Sequence, residues 1–420
     1  MRITALRSLD LRFPLPPGAG SDAVHVNPIY SLATCVLESD TGLRATGFSL
    51  TLGEGNDLVC AAIGYYAKYL VGADVDEAMA SLGERWRAWA NDSQLRWLGP
   101  QKGVVHLALA AVVGALVDLW ARARQVPLWR ALLDLAPDEV VALIDFSTLG
   151  DFLSREEAIE LLVQRRLSPS QAGELIEHGY PAYDTSVGWL GYDTRILVAN
   201  VERARDAGYG AVKLKVGSPR LEVDVERVGA VREALGDDFH VMIDANQHWS
   251  AAEAIHAGRA LAPFDPFWFE EPVHPDDLAA YLAVKEALFP MRVAGGEHIP
   301  NQVVFKNFLA AGALDIAQPD AVRLGGLPEY LAVALMAAKA SVPVLPHVGD
   351  MGQLHQHLTF FTRVALGLPE LPLEMIPHLA EHFAEPCQIV SGRYRAPSAP
   401  GASTTIRDES VRRYTAPGPA

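Results

Sequence analysis

Ionisable residues recur in the second half of the sequence, each at the end of a predicted β-strand. They are Lys213, Lys215, Asp244, Glu270, Glu297, Asp320, His347 and Glu374. From Lys215 onward the intervals are 29, 26, 27, 23, 27 and 27 residues, which is about one strand and one helix each. Isolated Asp residues at strand ends are commonly turn or helix-capping residues. Repetition at a near-constant period favours a single shared site.

Three consecutive strands end in carboxylates, namely Asp244, Glu270 and Glu297. Carboxylates that converge at one point repel each other unless a cation lies between them, and an all-oxygen set suits a hard ion. We therefore predict Mg²⁺, with an anionic substrate completing its coordination shell. Asn246 shares a strand face with Asp244 and is expected to contact substrate or metal-bound water.

The stretch AVKLKVG places Lys213 and Lys215 on one face of a strand. A lysine that is partly desolvated beside a second ammonium group and a metal has its charged form disfavoured, so it can serve as a general base. Asp320 is expected to fix the tautomer of His347, making that imidazole an acid or a base. Alternatively, the lysines are rim residues that pair with the carboxylates. Glu271 is expected to point away from the site as a hydrogen-bonding partner.

The elements that must position these residues are short apolar runs alternating with amphipathic helical patterns. The strand candidates are residues 182–187, 211–216, 240–245, 267–271, 292–297, 314–319, 342–347 and 371–375. Strands that alternate with helices pair in parallel, and eight of them close a barrel with functional groups at its C-terminal end. The predicted fold class is α/β, a modified TIM (β/α)8-type barrel.

A different pattern precedes the barrel. Strand-like segments at 2–9, 30–38 and 45–51 come before helical patterns at 57–71, 75–90 and 104–134. The sequence therefore predicts an α+β capping domain over residues 1–135, a barrel over 136–385, and a C-terminal segment over 386–420 that packs back on the capping domain.

Composition excludes several classes of partner. The chain of 420 residues has 51 acidic and 35 basic residues and a net charge of −16, which argues against a nucleic-acid or anionic membrane surface. Cys35, Cys60 and Cys387 are few and widely separated, so no disulfide framework and a cytoplasmic location are expected. The apolar stretch 104–120 is interrupted by polar residues and predicts a buried helix.

Several motifs resemble one family in order and spacing. They are KLKVG, MIDANQHW, WFEEP, GGEHIPNQVVFK, DIAQPDAVRLGG and VPVLPH, and further matches lie at 91–104, 175–192, 378–383 and 392–401. Together they resemble the enolase superfamily, in its mandelate racemase branch, and within that branch the group of L-fuconate dehydratases. Enzymes of this superfamily use a Lys or His base together with Mg²⁺, which agrees with the residues above.

The resemblance implies a role for each matching position. Asp244, Glu270 and Glu297 would bind Mg²⁺, and Lys215 would remove the proton α to a carboxylate with Lys213 as its electrostatic neighbour. His347, held by Asp320, would protonate the departing 3-hydroxyl, and Glu374 would bond the carboxylate side of the intermediate. The Gly20–Asp22 loop, with Ser21 and Asp22, would contact substrate from the capping domain.

The segment VGDMGQLHQHL after His347 departs from the resemblance. It places Asp350 where the L-fuconate group has Gly, and it is about two residues shorter. Because the segment borders the predicted acid and the far carbons of the substrate, the sugar acid that is preferred stays open. The implied product is a 2-keto-3-deoxy sugar acid.

Three other functions fit part of the pattern. The same site could racemise or epimerise a 2-hydroxy acid if the substrate lacked a β-hydroxyl. A Schiff-base aldolase could use Lys213 or Lys215, although it would not need three carboxylates. A barrel retained only for ligand binding would be favoured if a predicted catalytic residue were missing, and none is. A homo-oligomer is expected in each case.

Overall fold

A computed structural model describes residues 1–99 and 101–417. Pro100, within the motif at 91–104, and residues 418–420 of the predicted C-terminal segment lie outside the described residues. The chain begins with an antiparallel sheet in the order β1-β2-β3, made of β1 (Ile3–Pro14), β2 (Ile29–Ser39) and β3 (Arg44–Thr51).

Helices follow the sheet. They are α1 (Asn56–Tyr65), α2 (Ala67–Leu70), α3 (Val75–Ala80), α4 (Leu82–Ala90), a 3-10 turn at Ser93–Leu95, α5 (Val104–Ala123), α6 (Leu128–Leu133), α7 (Pro137–Ala142), α8 (Arg155–Gln164) and α9 (Pro169–His178). Ser154 and Ser168 each begin a helix with a reciprocal capping box, which satisfies backbone N–H groups that the first turn leaves unpaired. We refer to β1–β3 with α1–α6 as the cap.

Helix α5 is the central helix of the cap, as its apolar sequence predicts. It is long and apolar enough to cross a membrane by length and composition, with a mean hydropathy of 2.1, but 89% of its most apolar window is buried in the fold. Gly47 lets β3 approach this helix closely, since a Cβ there would overlap the backbone of Ala111 and Ala115.

The barrel strands pair in parallel and in chain order. They are β4 (Tyr180–Gly188), β5 (Ala211–Lys215), β6 (His240–Asp244), β7 (Phe269–Glu270), β8 (Val293–Gly295), β9 (Ile316–Ala317) and β10 (Leu373–Met375). Strand β10 pairs with β4 and closes the ring. The predicted fold class is confirmed.

The run at 342–347 contributes a single bridge rather than the full strand that the sequence predicts. Val344 pairs with Ala317, and two backbone hydrogen bonds of 2.9 Å connect Ala317 with Pro343 and Leu345. Pro343 and Pro346 have no N–H to donate, which limits the ladder at this position. The run still occupies the seventh position of the ring and ends in His347.

Helices connect the strands on the outside of the barrel. They are α10 (Thr194–Asp206), α11 (Leu221–Leu235), α12 (Ala251–Leu261) with a 3-10 turn at Ala262–Phe264, α13 (Leu278–Leu288), α14 (Gln302–Ala310), α15 (Leu327–Ala340) and α16 (Leu354–Leu366). A third 3-10 segment, Pro377–His382, follows β10. This alternation is the connection that parallel strands require.

The segment after the barrel divides its contacts between the two larger parts. Strands β11 (Ile389–Val390) and β12 (Arg393–Tyr394) form a hairpin that pairs with the start of β4. Beyond it the chain returns to the cap, where Thr415 bridges Leu11, and α17 (Asp408–Tyr414) contacts β1. The boundaries at residues 135 and 385 stay predictions.

The cap contacts the barrel through buried polar groups. His106 of α5 lies 2.6 Å from the Glu329 carboxylate of α15, and the Trp86 indole of α4 donates to the Gly325 carbonyl at 2.6 Å. A side chain at Gly325 would overlap Trp86 and His106. The cap is therefore held directly above the C-terminal ends of the strands.

Candidate active site

A cleft of about 50 Å³ lies between the cap and the C-terminal ends of the strands. The residues that line it are Gly20, Asp22, His25, Pro28, Tyr30, Leu50, Leu52, Trp189, Lys215, Asn246, Glu297, His298, Arg323, His347, Met351 and Ile376. A larger and more open cleft at the opposite end of the barrel, among residues 232–292, shares none of them. We call the first cleft the substrate cavity.

Asp244, Glu270 and Glu297 converge at the floor of the barrel mouth. All three are buried, and one ligand atom from each lies within 4.8 Å of the others. They end β6 and β7 and follow β8, as the strand register requires. Burial and the neighbouring Asp244 and Glu374 carboxylates raise the pKa of Glu270 well above its usual range, despite the opposing effect of Lys213.

The donor set fits Mg²⁺. Oxygen-only ligands at a crowded, buried site match the preference of this ion, which also retains open positions for water or substrate oxygens. Asn246 supports the same conclusion, because its Oδ1 is buried without a hydrogen-bond partner among the described residues and its side chain lines the cavity next to Asp244. Asp244, Glu270 and Glu297 would hold the ion.

Lys213 and Lys215 lie on one face of β5 but meet different carboxylates. The Lys213 Nζ lies 2.5 Å from Glu270 and 2.7 Å from Glu374, and its side chain is fully buried. The Lys215 Nζ lies 2.5 Å from Asp244 Oδ2 and lines the cavity. Only Lys215 of this pair is therefore placed to touch a substrate.

Neighbouring carboxylates act on the pKa of both lysines. Burial lowers the pKa of Lys215, but the Asp244, Glu297 and Asp22 carboxylates together more than offset it, so its pKa is raised above the usual value. The pKa of Lys213 is raised in the same way, by Glu270 and Glu374. The sequence showed the second ammonium group but not how closely the carboxylates approach, and these carboxylates favour the charged forms.

Asp320 and His347 form the predicted pair. His347 Nδ1 lies 2.9 Å from Asp320 Oδ2, and its Nε2 faces the cavity at 3.1 Å from Glu297 Oε2. The Asp320 carboxylate keeps a low pKa because His355, His347 and Arg323 together outweigh its burial. Since an ionised Asp320 accepts from Nδ1, the free Nε2 is the atom that can exchange a proton with a substrate.

Glu374 is placed between the lysines and the His347 loop. Its Oε1 accepts from the Thr185 hydroxyl at 2.6 Å, and its Oε2 accepts from the Val348 amide at 3.1 Å. Burial raises the pKa of Glu374, but Lys213, His347 and Lys215 together outweigh it and lower the pKa to about 2. Glu374 does not line the cavity, so its predicted contact with the substrate carboxylate is not evident in the geometry.

The two loop residues of the cap differ in position. Asp22 lines the cavity, and its carboxylate accepts from the Val24 and His25 amides at 2.7 Å. Ser21 is buried beside it, and its hydroxyl accepts from the Asn27 amide at 3.1 Å. Ser21 therefore shapes the loop and does not line the cavity, which sequence alone could not distinguish from a substrate contact.

Arg323 and His298 are cavity residues that the sequence reasoning did not select. Arg323 Nη1 donates to Glu297 Oε1 at 3.1 Å, and its Nε lies 3.6 Å from Asp320, so it connects a carboxylate of the floor with the partner of His347. His298 lies 3.0 Å from Glu271. Glu271 is thus a hydrogen-bonding partner, as predicted, but at the edge of the site. The sequence signal available for these two residues was their closeness to predicted site residues. His298 directly follows Glu297, and Arg323 lies three positions after Asp320.

His355 also contacts Asp320. Its Nε2 lies 3.2 Å from Asp320 Oδ1 and accepts from the Ala321 amide at 2.9 Å, and its Nδ1 bonds the Val348 carbonyl. His355 lies in the first turn of α16. A helical residue has no strand register from which a position at the barrel mouth could be predicted. A helical position gave no sequence signal for this contact.

Comparisons with known proteins agree with this architecture. Residues 197–410 match the family described as "Enolase C-terminal domain-like". The chain is 43% identical over 425 residues to L-galactonate dehydratase of Hypocrea jecorina, covering 99% of this chain and 94% of that protein. It is similar to the crystal structure of human mitochondrial enolase superfamily member 1, with a TM-score of 0.95, 38% identity and coverage of 99% and 96%.

A third relative was solved with a metal. The L-talarate/galactarate dehydratase of Salmonella typhimurium LT2, liganded with Mg and L-lyxarohydroxamate, matches with a TM-score of 0.77 and 27% identity over 99% of this chain and 93% of that one. The carboxylate cluster and this similarity support a magnesium site in the present chain.

Proposed function

The chain belongs to the enolase superfamily, and from that premise we propose that it is an Mg²⁺-dependent dehydratase of L-fuconate or a close sugar acid. The observation that carries the proposal is the cavity itself. It is lined by Lys215 from the second strand position and by His347 from the seventh, above a floor of three carboxylates. Dehydration needs these two proton-transfer groups at neighbouring carbons of one substrate.

The residues divide the reaction between them. Lys215, in its neutral amine form, removes the proton from the carbon next to the substrate carboxylate, and the electron pair moves to form an enediolate. His347 then donates its Nε2 proton to the 3-hydroxyl, which leaves as water while the C2–C3 double bond forms. The resulting enol becomes the 2-keto-3-deoxy acid. When bound, Mg²⁺ supplies positive charge that stabilises the enediolate more than the ground state.

Contacts around the cavity support these roles. Asp320 keeps His347 Nδ1 protonated and so orients Nε2 toward the cavity. Lys213, buried between Glu270 and Glu374, adds positive charge beneath the site without reaching the cavity. The Trp189 indole closes the wall beside Lys215, whose ammonium lies 5.6 Å from the ring centroid, and restricts the access of water.

Epimerisation of a 2-hydroxy acid is a second candidate. The same observation favours it, because two groups that can exchange protons line one cavity from different strand positions. A substrate without a 3-hydroxyl has nothing to expel, so reprotonation of the enediolate would then invert C2. The product distinguishes the two reactions.

The direct test is incubation with Mg²⁺ and L-fuconate, L-galactonate, D-arabinonate or galactarate. A 2-keto-3-deoxy product from L-fuconate, lost on addition of EDTA and restored by excess Mg²⁺, is the expected result. Dehydration of another of these acids, but not of L-fuconate, would change the proposed substrate and leave the proposed reaction in place. Inversion at C2 without loss of water would favour the epimerase.

Location and assembly belong to the same proposal. Cys35, Cys60 and Cys387 are free thiols, which supports a reducing, cytoplasmic location, and cell fractionation tests it. An even-numbered homo-oligomer is also proposed, and light scattering of the full chain checks it. A monodisperse monomer would contradict the second statement.

A further inference from the structure

The seventh position of the ring carries His347 on a run with few ladder bonds. Among the described residues, the backbone bonds of the run at 342–347 end at Leu345, whose amide donates to the Ala317 carbonyl at 2.9 Å. Pro346 follows and has no N–H to donate. His347 therefore lies beyond the part of the run that the sheet fixes, and other contacts must set the direction of its imidazole.

The residue after His347 has a strained backbone. Val348 has a φ of 58° and is buried. This left-handed region is sparsely populated by residues with a side chain, and a β-branched residue there is strained. Such strain persists only where surrounding contacts hold the backbone. Without those contacts Val348 would relax, and the peptide that follows His347 would turn with it.

Two side chains bond the backbone of Val348. Its amide donates to Glu374 Oε2 at 3.1 Å, and its carbonyl accepts from His355 Nδ1 at 2.7 Å. The carbonyl of the next residue, Gly349, accepts from the side-chain amide of Gln356 at 2.6 Å. The first turn of α16 therefore binds two successive carbonyls of the loop that follows His347.

His355 also reaches the loop that carries Asp320. Its Nε2 accepts from the Ala321 amide at 2.9 Å, so the ring proton is on Nδ1, which donates to Val348. Both ring nitrogens are used, and His355 is 3% exposed. Ala321 directly follows Asp320, and Val348 directly follows His347. One imidazole thus joins the two loops that carry the Asp–His pair.

We propose that His355 is a positioning residue for the dehydration step. It holds Val348 in its strained conformation and fixes the His347 loop to the Asp320 loop, so that His347 Nε2 stays directed to the cavity. The proposal rests on the proposed function, in which His347 gives its proton to the leaving hydroxyl. Lys215 lies on β5, which pairs with β4 and β6, so removal of the α-proton should depend little on His355.

His355→Ala should separate the two steps. We expect dehydration of L-fuconate, or of the acid in the panel above that wild type prefers, to fall by about 10²-fold, as for a shift of about 1 Å at a reacting group. The total rate at which C2 loses its proton, by exchange plus dehydration, should fall much less. The ratio of exchange to dehydration should therefore rise at least about tenfold. NMR in D₂O with Mg²⁺ measures both rates, and a smaller rise overturns the proposal.

His357→Ala is the matched control. His357 is a fully buried histidine of the same helix, but its Nδ1 accepts from the Trp129 amide of α6, in the cap, at 3.3 Å. A general loss of stability or of helix packing would affect both variants. We expect His357→Ala to leave the ratio of exchange to dehydration unchanged, with circular dichroism as the check on folding. An equal rise of the ratio in both variants overturns the proposal.

Three further variants test the route through Val348. Glycine adopts the left-handed region without strain, so Val348→Gly added to His355→Ala should restore dehydration at least about fivefold. His355→Asn places an amide nitrogen as many bonds from the backbone as Nδ1 and can bond the Val348 carbonyl. It should retain more dehydration than His355→Gln, whose amide lies one bond farther out. This comparison decides the matter if His355→Ala does not fold. No recovery with glycine, or equal rates for Asn and Gln, overturns the proposal.

The outcomes distinguish this proposal from the proposed function. If wild type forms no 2-keto-3-deoxy product from any acid of the panel, the proposed function is overturned and the role of His355 with it. If wild type dehydrates one of the acids and His355→Ala loses exchange and dehydration alike, only the role of His355 is overturned.

Discussion

Two lysines that share a strand face have different surroundings. Lys213 is enclosed by Glu270 and Glu374, whereas Lys215 borders the cavity and meets Asp244. Proton transfer requires contact with the substrate, so the role of base belongs to Lys215 and the electrostatic role to Lys213.

Exchange of the α-proton with solvent deuterium should separate Lys215 from His347. Lys215→Ala should abolish exchange and dehydration together, while His347→Asn should retain some exchange and lose dehydration by about 10² to 10⁴-fold. Exchange is followed by NMR in D₂O, with Lys68→Ala as a surface control. Equal loss of both activities in His347→Asn would contradict the division of roles.

Asp350 should make stability depend on pH. Burial raises its pKa to about 8, and the Glu374 and Asp184 carboxylates act in the same direction, with Tyr209 and Cys387 also nearby. The folded state therefore holds a proton that the unfolded chain releases above its ordinary pKa of about 4. The stabilisation is complete below pH 4 and is lost as pH rises toward 8.

Asp350→Asn should remove this dependence. Relative to wild type, the variant should gain stability by at most about 1.4 kcal/mol per pH unit between pH 5 and 8. Urea unfolding at several pH values measures it, with Asp206→Asn as the exposed control. A constant difference between variant and wild type across this range would show that Asp350 is ionised in the fold.

Single residues were predictable where strand register fixed them. Asp244, Glu270 and Glu297 meet because they occupy equal depths in adjacent strands, which the spacing of the sequence encodes. Arg323 and His355 reach Asp320 from a loop and a helix, and their approach depends on packing that no period describes. Pairing of the lysines with the carboxylates was one of the alternatives that the sequence left open.

At the level of elements, β4 and β5 approach each other closely at Gly188. Their register shifts between Asp184 and Gly188, and a Cβ at Gly188 would overlap the Lys213 carbonyl. Only a residue without a side chain permits this approach, which sets the position of the strand that carries both lysines.

Gly188→Ala should displace β5 and impair catalysis. A shift of about 1 Å at the reacting groups can reduce turnover by about 10²-fold, and we expect a loss of kcat of that order. Steady-state kinetics and circular dichroism measure activity and folding in the same sample. Gly173→Ala, in α9 with open space around it, should leave kcat unchanged, and equal kcat in both variants would contradict the role of Gly188.

The elements themselves were largely predictable. The β-rich runs and helical patterns recur with a period that only a parallel barrel explains, and the long apolar run at α5 became the buried helix of the cap. The prediction of a full strand at 342–347 was wrong, since two prolines limit this run to a single bridge. The hairpin on β4 was not predicted, because two-residue strands carry too little periodicity.

At the scale of the molecule, Asp118 connects three distant parts of the chain. Its carboxylate accepts from the Thr46 amide of β3 at 3.0 Å, the Ala402 amide at 2.7 Å and Arg122 at 2.9 Å. Asp118 is fully buried. One carboxylate therefore joins helix α5, the cap sheet and the segment after the barrel through hydrogen bonds.

Asp118→Ala should destabilise the whole molecule. It leaves two buried amides and a guanidinium without their acceptor, which costs about 3 to 5 kcal/mol. Urea unfolding gives the value. Asp134→Ala removes an exposed Asp–Arg pair of the same i,i+4 type and should cost no more than about 0.5 kcal/mol. Comparable losses in the two variants would contradict this account.

The return of the chain to the cap also orders events during synthesis. The Ala402 amide and the Thr404 hydroxyl bond to Asp118 and to the Thr46 carbonyl, although the barrel lies between these partners in sequence. A nascent chain stalled on the ribosome before residue 401 would already contain the residues of the carboxylate cluster. The sheet that supplies Tyr30 and Leu50 to the lining of the substrate cavity would still lack this support. The contacts that support this sheet can therefore form only after the barrel has emerged.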